Sequence, residues 1–269
     1  MIVNGRTYRR PTGPVVVVCL DGSAFEYIER AIAAGVAPYL QSLVRSKFFR
    51  LVSSALPSFT NPNNVSIVTG VPPAAHGISG NFFLDRETGE AVMMNDASFL
   101  RADTILSAFS KAGARVVVVT AKDKLRRLLG HGVDASRGLC MSTEAGGIAV
   151  YSAALSEETL AEGVRQLESA PPDLMYLSTS DYVQHKYEPG DEAANRDARG
   201  HGRPRHARES RRDGRPASNL PTGRHRRVAG RRRRSRDSPD HGPVRAASRI
   251  AGILRDGVSH VVDRCGRGR

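Results

Sequence analysis

Asp181 and His185 in "SDYVQH" lie four residues apart. On a helical turn, side chains at that spacing point the same way. A carboxylate beside an imidazole is a donor pair that Zn2+ accepts, although a capping Asp next to a surface His gives the same pattern. Asp21 ends the run "VVVVCLDGS", where Asp-Gly also reads as a plain turn. Thr60 sits at a polar break in "ALPSFTNPNNVSIVTG". A hydroxyl is a poor nucleophile at neutral pH unless a base or a metal lowers its pKa. At the start of a helix it would hold a transferred phosphoryl group near free backbone N–H groups; a capping role is compatible with that. Lys122 and Lys124 in "TAKDKLRR" are two ammonium groups that could clamp an anionic group such as a carboxylate, or form a solvated basic loop. Asn81 in "GISGNFF" could donate to a phosphoryl oxygen, and His76 in "PPAAHG" reads as a structural loop histidine.

The segments around these residues predict how they are positioned. "VVVVCL", "ARVVVVTA" and "PDLMYLSTSDY" are apolar runs rich in β-branched residues, the pattern of strands buried on both faces. "FFRLVSSAL" reads as a further strand. Helical spacing runs through "EYIERAIAAGVAPYLQSLVRS", broken near Gly35 and Pro38, and through "LRADTILSAFSKAG" and "LSEETLAEGVRQLES". "NNVSIVTG" opens a helix after the Thr60 turn. Strands alternating with helices predict an α/β fold, a mostly parallel sheet with helices on both faces. Ligands of such sheets sit beyond the carboxyl ends of the strands. Asp21, Thr60, Lys122, Lys124, Asp181 and His185 all fall at such ends.

Composition divides the 269 residues at about position 190. Residues 1–190 carry 18 Lys+Arg and 18 Asp+Glu, so the formal charge of +13 lies wholly in 191–269, which hold 22 Arg, no Lys and no aromatic residue. The expected organisation is an α/β domain over 1–190 and an Arg-rich, low-order tail over 191–269. Such a tail has too little apolar content to offset the cost of ordering its backbone. Three cysteines without CxxC spacing argue against a disulfide framework. No apolar leader is visible, and no run is long enough to span a bilayer. A cytoplasmic location is the expectation.

Taken together, "VVVVCLDGS", "PSFTNPNNVSIVTG", "HGISGNFF", "TAKDKLRRLLG" and "MYLSTSDYVQHKYEPG" resemble the phosphonoacetate hydrolases of the alkaline phosphatase superfamily. The resemblance covers most of residues 1–190. It implies an alkaline-phosphatase-like enzyme with two Zn2+ ions that cleaves the C–P bond of phosphonoacetate to acetate and phosphate. By that resemblance Asp21 and Thr60 sit at one zinc, and Thr60 attacks phosphorus to give a phosphoryl-threonine. Asp181 and His185 sit at the other, Lys122 and Lys124 grip the substrate carboxylate, and Asn81 holds the phosphonate. A homodimer is compatible with it.

Residues 191–269 depart from that pattern. A second Asp-His pair and a last histidine are expected there. Asp240 and His241 in "PDHG" come too late and follow no apolar run, and His260 in "GVSHVVD" is a weak candidate for the last ligand. The composition of the tail suggests a reading-frame shift near residue 191; a nucleic-acid-binding arm is the other reading, and such binding would be non-specific. On the first reading the C-terminal part of the fold is missing or disordered, and activity is impaired for want of metal ligands. The alternative enzyme reading is a nucleotide pyrophosphatase/phosphodiesterase. The lysine pair favours a small anionic substrate over a nucleoside.

Overall fold

Four apolar strands form the centre of the chain, and their register sets where the polar residues gather. The computed structural model describes residues 1–46, 49–147, 151–192 and 194–195. In chain order they form β1 (Ile2–Val3) and β2 (Arg6–Thr7), β3 (Val15–Cys19), α1 (Phe25–Ala33), α2 (Pro38–Arg45), α3 (Thr60–Thr69) and α4 (Pro73–His76). There follow β4 (Phe82–Leu84) and β5 (Ala91–Met93), α5 (Ile105–Lys111), β6 (Val116–Thr120), α6 (Asp123–Leu129), β7 (Leu139–Ser142), α7 (Ala154–Ser169), β8 (Leu174–Ser178) and α8 (Tyr182–Lys186).

The central sheet has the order β3-β8-β6-β7, and its three pairings are all parallel. Every residue of β6 and β8 is buried, as their continuous apolar runs predict. Alternate side chains serve opposite faces. Val116, Val118, Leu174 and Tyr176 pack with Val65, Leu106, Phe109 and Leu125 from α3, α5 and α6. Val117, Val119, Met175 and Leu177 pack with Leu160, Val164 and Leu167 of α7. The fold is therefore α/β, a parallel sheet covered on both faces.

Three expectations are corrected. β3 is an edge strand of mixed burial rather than a fully buried one, because among the described residues it pairs only with β8. The described part of "FFRLVSSAL" carries no strand: Leu51, Val52 and Leu56 are exposed, and no neighbouring strand receives their backbone. Thr60 itself, rather than a residue after it, starts α3, with Phe59 in the capping position. The β4/β5 hairpin and β7 were not legible, each being only three or four residues long. Residues 196–269, with Asp240, His241, His260 and the arginine runs, lie outside the described residues.

Candidate active site

The strand register aligns the carboxyl ends of the sheet. Cys19 pairs with Ser178, and Thr120 pairs with both Ser178 and Ser142. The residues just beyond these ends, Asp21, Lys122 and Asp181, therefore share one rim. Gly22 lets two of these loops touch. Its φ of +73° belongs to glycine, and a Cβ built there would lie 3.0 Å from Asp181 Cβ and 3.2 Å from Gln184 Cβ.

Thr60 is the first residue of α3, and its side chain makes no capping bond. Its hydroxyl instead donates to Asp21 Oδ2 at 2.9 Å. The Asp21 backbone N–H donates to Thr179 Oγ1 at 3.2 Å, which ties the β3 end to the β8 end. Asn64 Nδ2 donates to the Thr60 carbonyl at 2.9 Å, and Asn64 Oδ1 accepts from the buried Tyr176 hydroxyl at 2.8 Å. The start of α3 is thereby hung from β8.

Asp181 precedes α8, and His185 lies one turn on, with His185 Nε2 at 3.0 Å from Asp181 Oδ2. Lys122 enters from the turn between β6 and α6. Its Nζ donates to Asp181 Oδ1 at 2.5 Å and lies 3.7 Å from Asp21 Oδ2. The side chains of Asp21, Lys122 and Asp181 are 13%, 17% and 15% exposed, against 66% for His185. The structure thus brings Asp21, Thr60, Lys122, Asp181 and His185 into one connected set.

The two carboxyls are poised differently. Burial raises Asp21 above the ordinary carboxylate range, and this outweighs the Thr60 hydrogen bond and the Lys122 charge. Burial also acts to raise Asp181, but hydrogen bonds from Lys122 and Tyr151 prevail and hold it at about 2. Cys19, one strand end away, is pushed up to about 11, chiefly by burial and then by Asp21, so its thiol stays protonated.

Lys124 has no hydrogen bond or ion pair with the other described residues, and the acid between the two lysines turns elsewhere. Asp123 accepts from Arg126 at 2.6 Å, Arg127 at 3.1 Å and Ser142 at 2.9 Å. Asn81 reaches the rim through Met94: its carbonyl accepts from Met94 N, while Asn61, next to Thr60, donates to Met94 O. The Asn81 side-chain oxygen is buried without a partner among the described residues. His76 is structural. Its Nδ1 accepts from Ile78 N, so Nε2 carries the proton and donates to Ser66 Oγ at 2.9 Å.

Tyr151 was missed in the sequence. Its hydroxyl donates to Asp181 Oδ1 at 2.5 Å, its ring meets Tyr182 edge-on at 5.1 Å, and Lys122 Nζ lies 5.5 Å from its centroid. One tyrosine beside a loop carries no sequence signal for this.

The donors fit part of a two-zinc site. Carboxylate, hydroxyl and imidazole are suitable ligands, while the charge of the two acids is offset by the Lys122 ammonium between them. The number falls short. Asp21 with Thr60 and Asp181 with His185 give two donors per ion, where zinc takes three or four protein ligands. Among the described residues no group of three or more His, Cys, Asp and Glu could hold a metal ion.

Crystal structures of phosphonoacetate hydrolase from Sinorhizobium meliloti 1021, in complex with phosphonoacetate and with phosphonoformate, match this chain at 50% and 51% identity, each with a TM-score of 0.69. Each match covers 72% of this chain and 52% of the hydrolase. An uncharacterized pyrophosphatase/phosphodiesterase of Schizosaccharomyces pombe is 40% identical over 77 residues, which are 28% of this chain and 15% of that protein. An ectonucleotide pyrophosphatase/phosphodiesterase of Caenorhabditis elegans is 34% identical over 110 residues, 39% of this chain and 14% of that protein. The chain thus spans about half of the hydrolase and a small part of these longer relatives. The model of the type I phosphodiesterase / nucleotide pyrophosphatase family matches residues 15–201, the stretch that holds β3, α3, β6, β8 and the acidic rim, and the chain belongs to that family.

Proposed function

We propose that this chain carries the nucleophile half of a metal-dependent phosphonoacetate hydrolase, which converts phosphonoacetate and water to acetate and phosphate. The observation that carries the reading is the Thr60 hydroxyl, at the start of α3, donating to the largely buried Asp21. The 50% identity to phosphonoacetate hydrolase, over a match that covers 72% of this chain, supports the substrate class.

The residues divide the work as follows. Asp21 Oδ2 accepts the Thr60 hydrogen bond at 2.9 Å and so faces the proton that leaves as Thr60 attacks. Thr60 Oγ1 forms the bond to phosphorus as the C–P bond breaks. The electron pair leaves with the CH2–carboxylate fragment, which takes a proton from solvent to become acetate. Water then cleaves the phosphoryl-threonine, releasing phosphate and restoring the hydroxyl. Lys122 and Lys124 hold the substrate carboxylate and spread the charge of the leaving group. The side-chain NH2 of Asn81, unbonded to other described residues, donates to a phosphoryl oxygen. Asp21 with Thr60, and Asp181 with His185, would hold two zinc ions, which supply neutralisation of phosphoryl charge and activation of the hydroxyl when bound.

The second reading is a nucleotide pyrophosphatase/phosphodiesterase, supported by the family description. The test offers phosphonoacetate and a nitrophenyl phosphodiester in parallel, with zinc, to the chain and to Thr60→Val. Phosphate release from phosphonoacetate is expected, slow because each ion has two described donors, and lost in Thr60→Val. Undiminished release from the variant, or preference for the diester, would refute the proposal.

A further inference from the structure

The segment "HGISGNFF" and the loop after β5 build a second concave surface, which shares no lining residue with the acidic rim. A cleft of about 280 Å³ opens there, walled by Phe83 of β4, Phe99 and the buried Met94, with Ser79 and Arg101 as polar members of its lining. Phe83 and Phe99 meet edge-on, their ring centroids 5.3 Å apart. Both rings are half-buried, while Ser79 and Arg101 are exposed, so a ligand reaches them from solvent. Gly77 lets the walls close. It caps α4 with a φ of +88°, and a Cβ there would lie 2.5 Å from the Phe99 carbonyl oxygen and 3.0 Å from Arg101 Cγ. The Arg101 stem therefore lies on Gly77, and its backbone N–H donates to the His76 carbonyl at 3.0 Å. The root of the side chain is fixed, yet its guanidinium has no hydrogen bond or ion pair with the other described residues. No acid lines the cleft. The Ser79 hydroxyl donates to the Met94 thioether at 3.6 Å, a weak acceptor.

We propose that this cleft binds a small carboxylic acid with a flat apolar body, an arylcarboxylate by chemical class. A guanidinium presents paired N–H donors that match a carboxylate, and Ser79 turns its hydroxyl from the thioether to the same group. The body of the ligand lies against Phe83, Phe99 and Met94, whose rings and sulfur suit an aromatic partner. The cleft of about 280 Å³ equals the liquid share of roughly nine waters at ~30 Å³ each, which one aromatic ring and its carboxylate fill. A single cation lines the cleft, so it matches a single negative charge, and a dianionic head would leave charge unpaired. This separates the ligand from phosphonoacetate, which carries more charge and little apolar surface. The site needs no metal and stands apart from the reaction proposed at the rim.

The experiment titrates para-fluorobenzoate into the full chain and follows it by fluorine NMR. Para-fluorobenzamide keeps the shape without the charge, and para-fluorophenylphosphonate keeps the ring with a head of higher charge. The variants are Arg101→Met, Arg101→Gln, Phe83→Leu and, as a control on α2, Arg45→Met. The parent chain is expected to bind the benzoate more tightly than either analogue. Arg101→Met and Arg101→Gln are expected to weaken it roughly ten- to hundredfold, the worth of a charge-assisted hydrogen-bonded pair. Phe83→Leu should weaken it roughly two- to tenfold through the lost ring contact, and Arg45→Met should leave it unchanged. Benzoate binding that survives in Arg101→Met comes from other cations, such as the arginines of residues 196–269, and overturns the proposal. Displacement of the benzoate by phosphonoacetate would put it at the rim and also overturns it. Equal affinity for the benzamide overturns it on the parent chain alone, so the test holds even where the Arg101 variants fail to fold. Equal or tighter binding of the phosphonate overturns the carboxylate class, and an unperturbed benzoate signal overturns the site outright.

Discussion

Replacing Gly22 by alanine tests whether the two acidic loops are as close as described. Gly22 has a φ of +73° and Gly35 a φ of +69°, but only Gly22 is crowded. Left-handed backbone costs a non-glycine residue about 1–2 kcal/mol, and this cost is common to both positions. At Gly35 a Cβ meets nothing within 4 Å. At Gly22 it meets Asp181 Cβ at 3.0 Å and Gln184 Cβ at 3.2 Å, and neither atom is the far end of a flexible chain. Overpacking of this kind adds about 1–3 kcal/mol. Gly22→Ala should therefore lose about 2–5 kcal/mol, exceeding Gly35→Ala by about 1–3 kcal/mol. Urea denaturation of the full chain and both variants, with unchanged m-values, gives the difference directly. Equal destabilisation of the two variants would refute the close approach on which the site depends.

Two further outcomes follow from the same geometry. Asp123 is held at about 2, first by its hydrogen bond from Arg126. Its contribution is therefore present above the unfolded pKa near ~4 and lost as the pH falls from there toward about 2. Allowing for solvent screening, the parent chain should lose about 1 kcal/mol more than Asp123→Asn across that window in urea melts, and matching slopes would contradict this. Tyr176→Phe should cost about 1–2 kcal/mol, because Asn64 Oδ1 keeps its burial and loses its donor. An unchanged thermal midpoint would show that this bond does not anchor α3.

Much of the scaffold was legible, for reasons that differ by element. β6 and β8 are apolar at every position because both faces are covered, and that signal needs no partner to be read. The break between α1 and α2 follows from Gly35, which has positive φ, and Pro38, which starts the second helix. The "FFRLVSSAL" segment failed for the opposite reason. Its β-branched and aromatic residues suit a strand, but a strand also needs a neighbour's hydrogen bonds, and composition does not supply one. β7 escaped notice because four residues, Leu139–Ser142, take their identity from pairing with β6. The pair Lys122 and Lys124 looked equivalent in sequence. The α6 start separates them, sending Lys122 to the acids and leaving Lys124 without a described partner.

The sequence by itself determined the layered α/β class, the strand ends just beyond which Asp21, Lys122 and Asp181 fall, and the turn-spaced pairing of Asp181 with His185. These are properties of local periodicity, which the chain carries along its length. Only the tertiary structure decided that Thr60 donates to Asp21 rather than capping its helix, that Lys122 joins two acids 160 positions apart in the chain, and that Tyr151 takes part at all. Those contacts depend on β8 lying between β3 and β6, and on a glycine small enough to let two loops meet. Neither strand order nor closeness of approach is written in the spacing of residues.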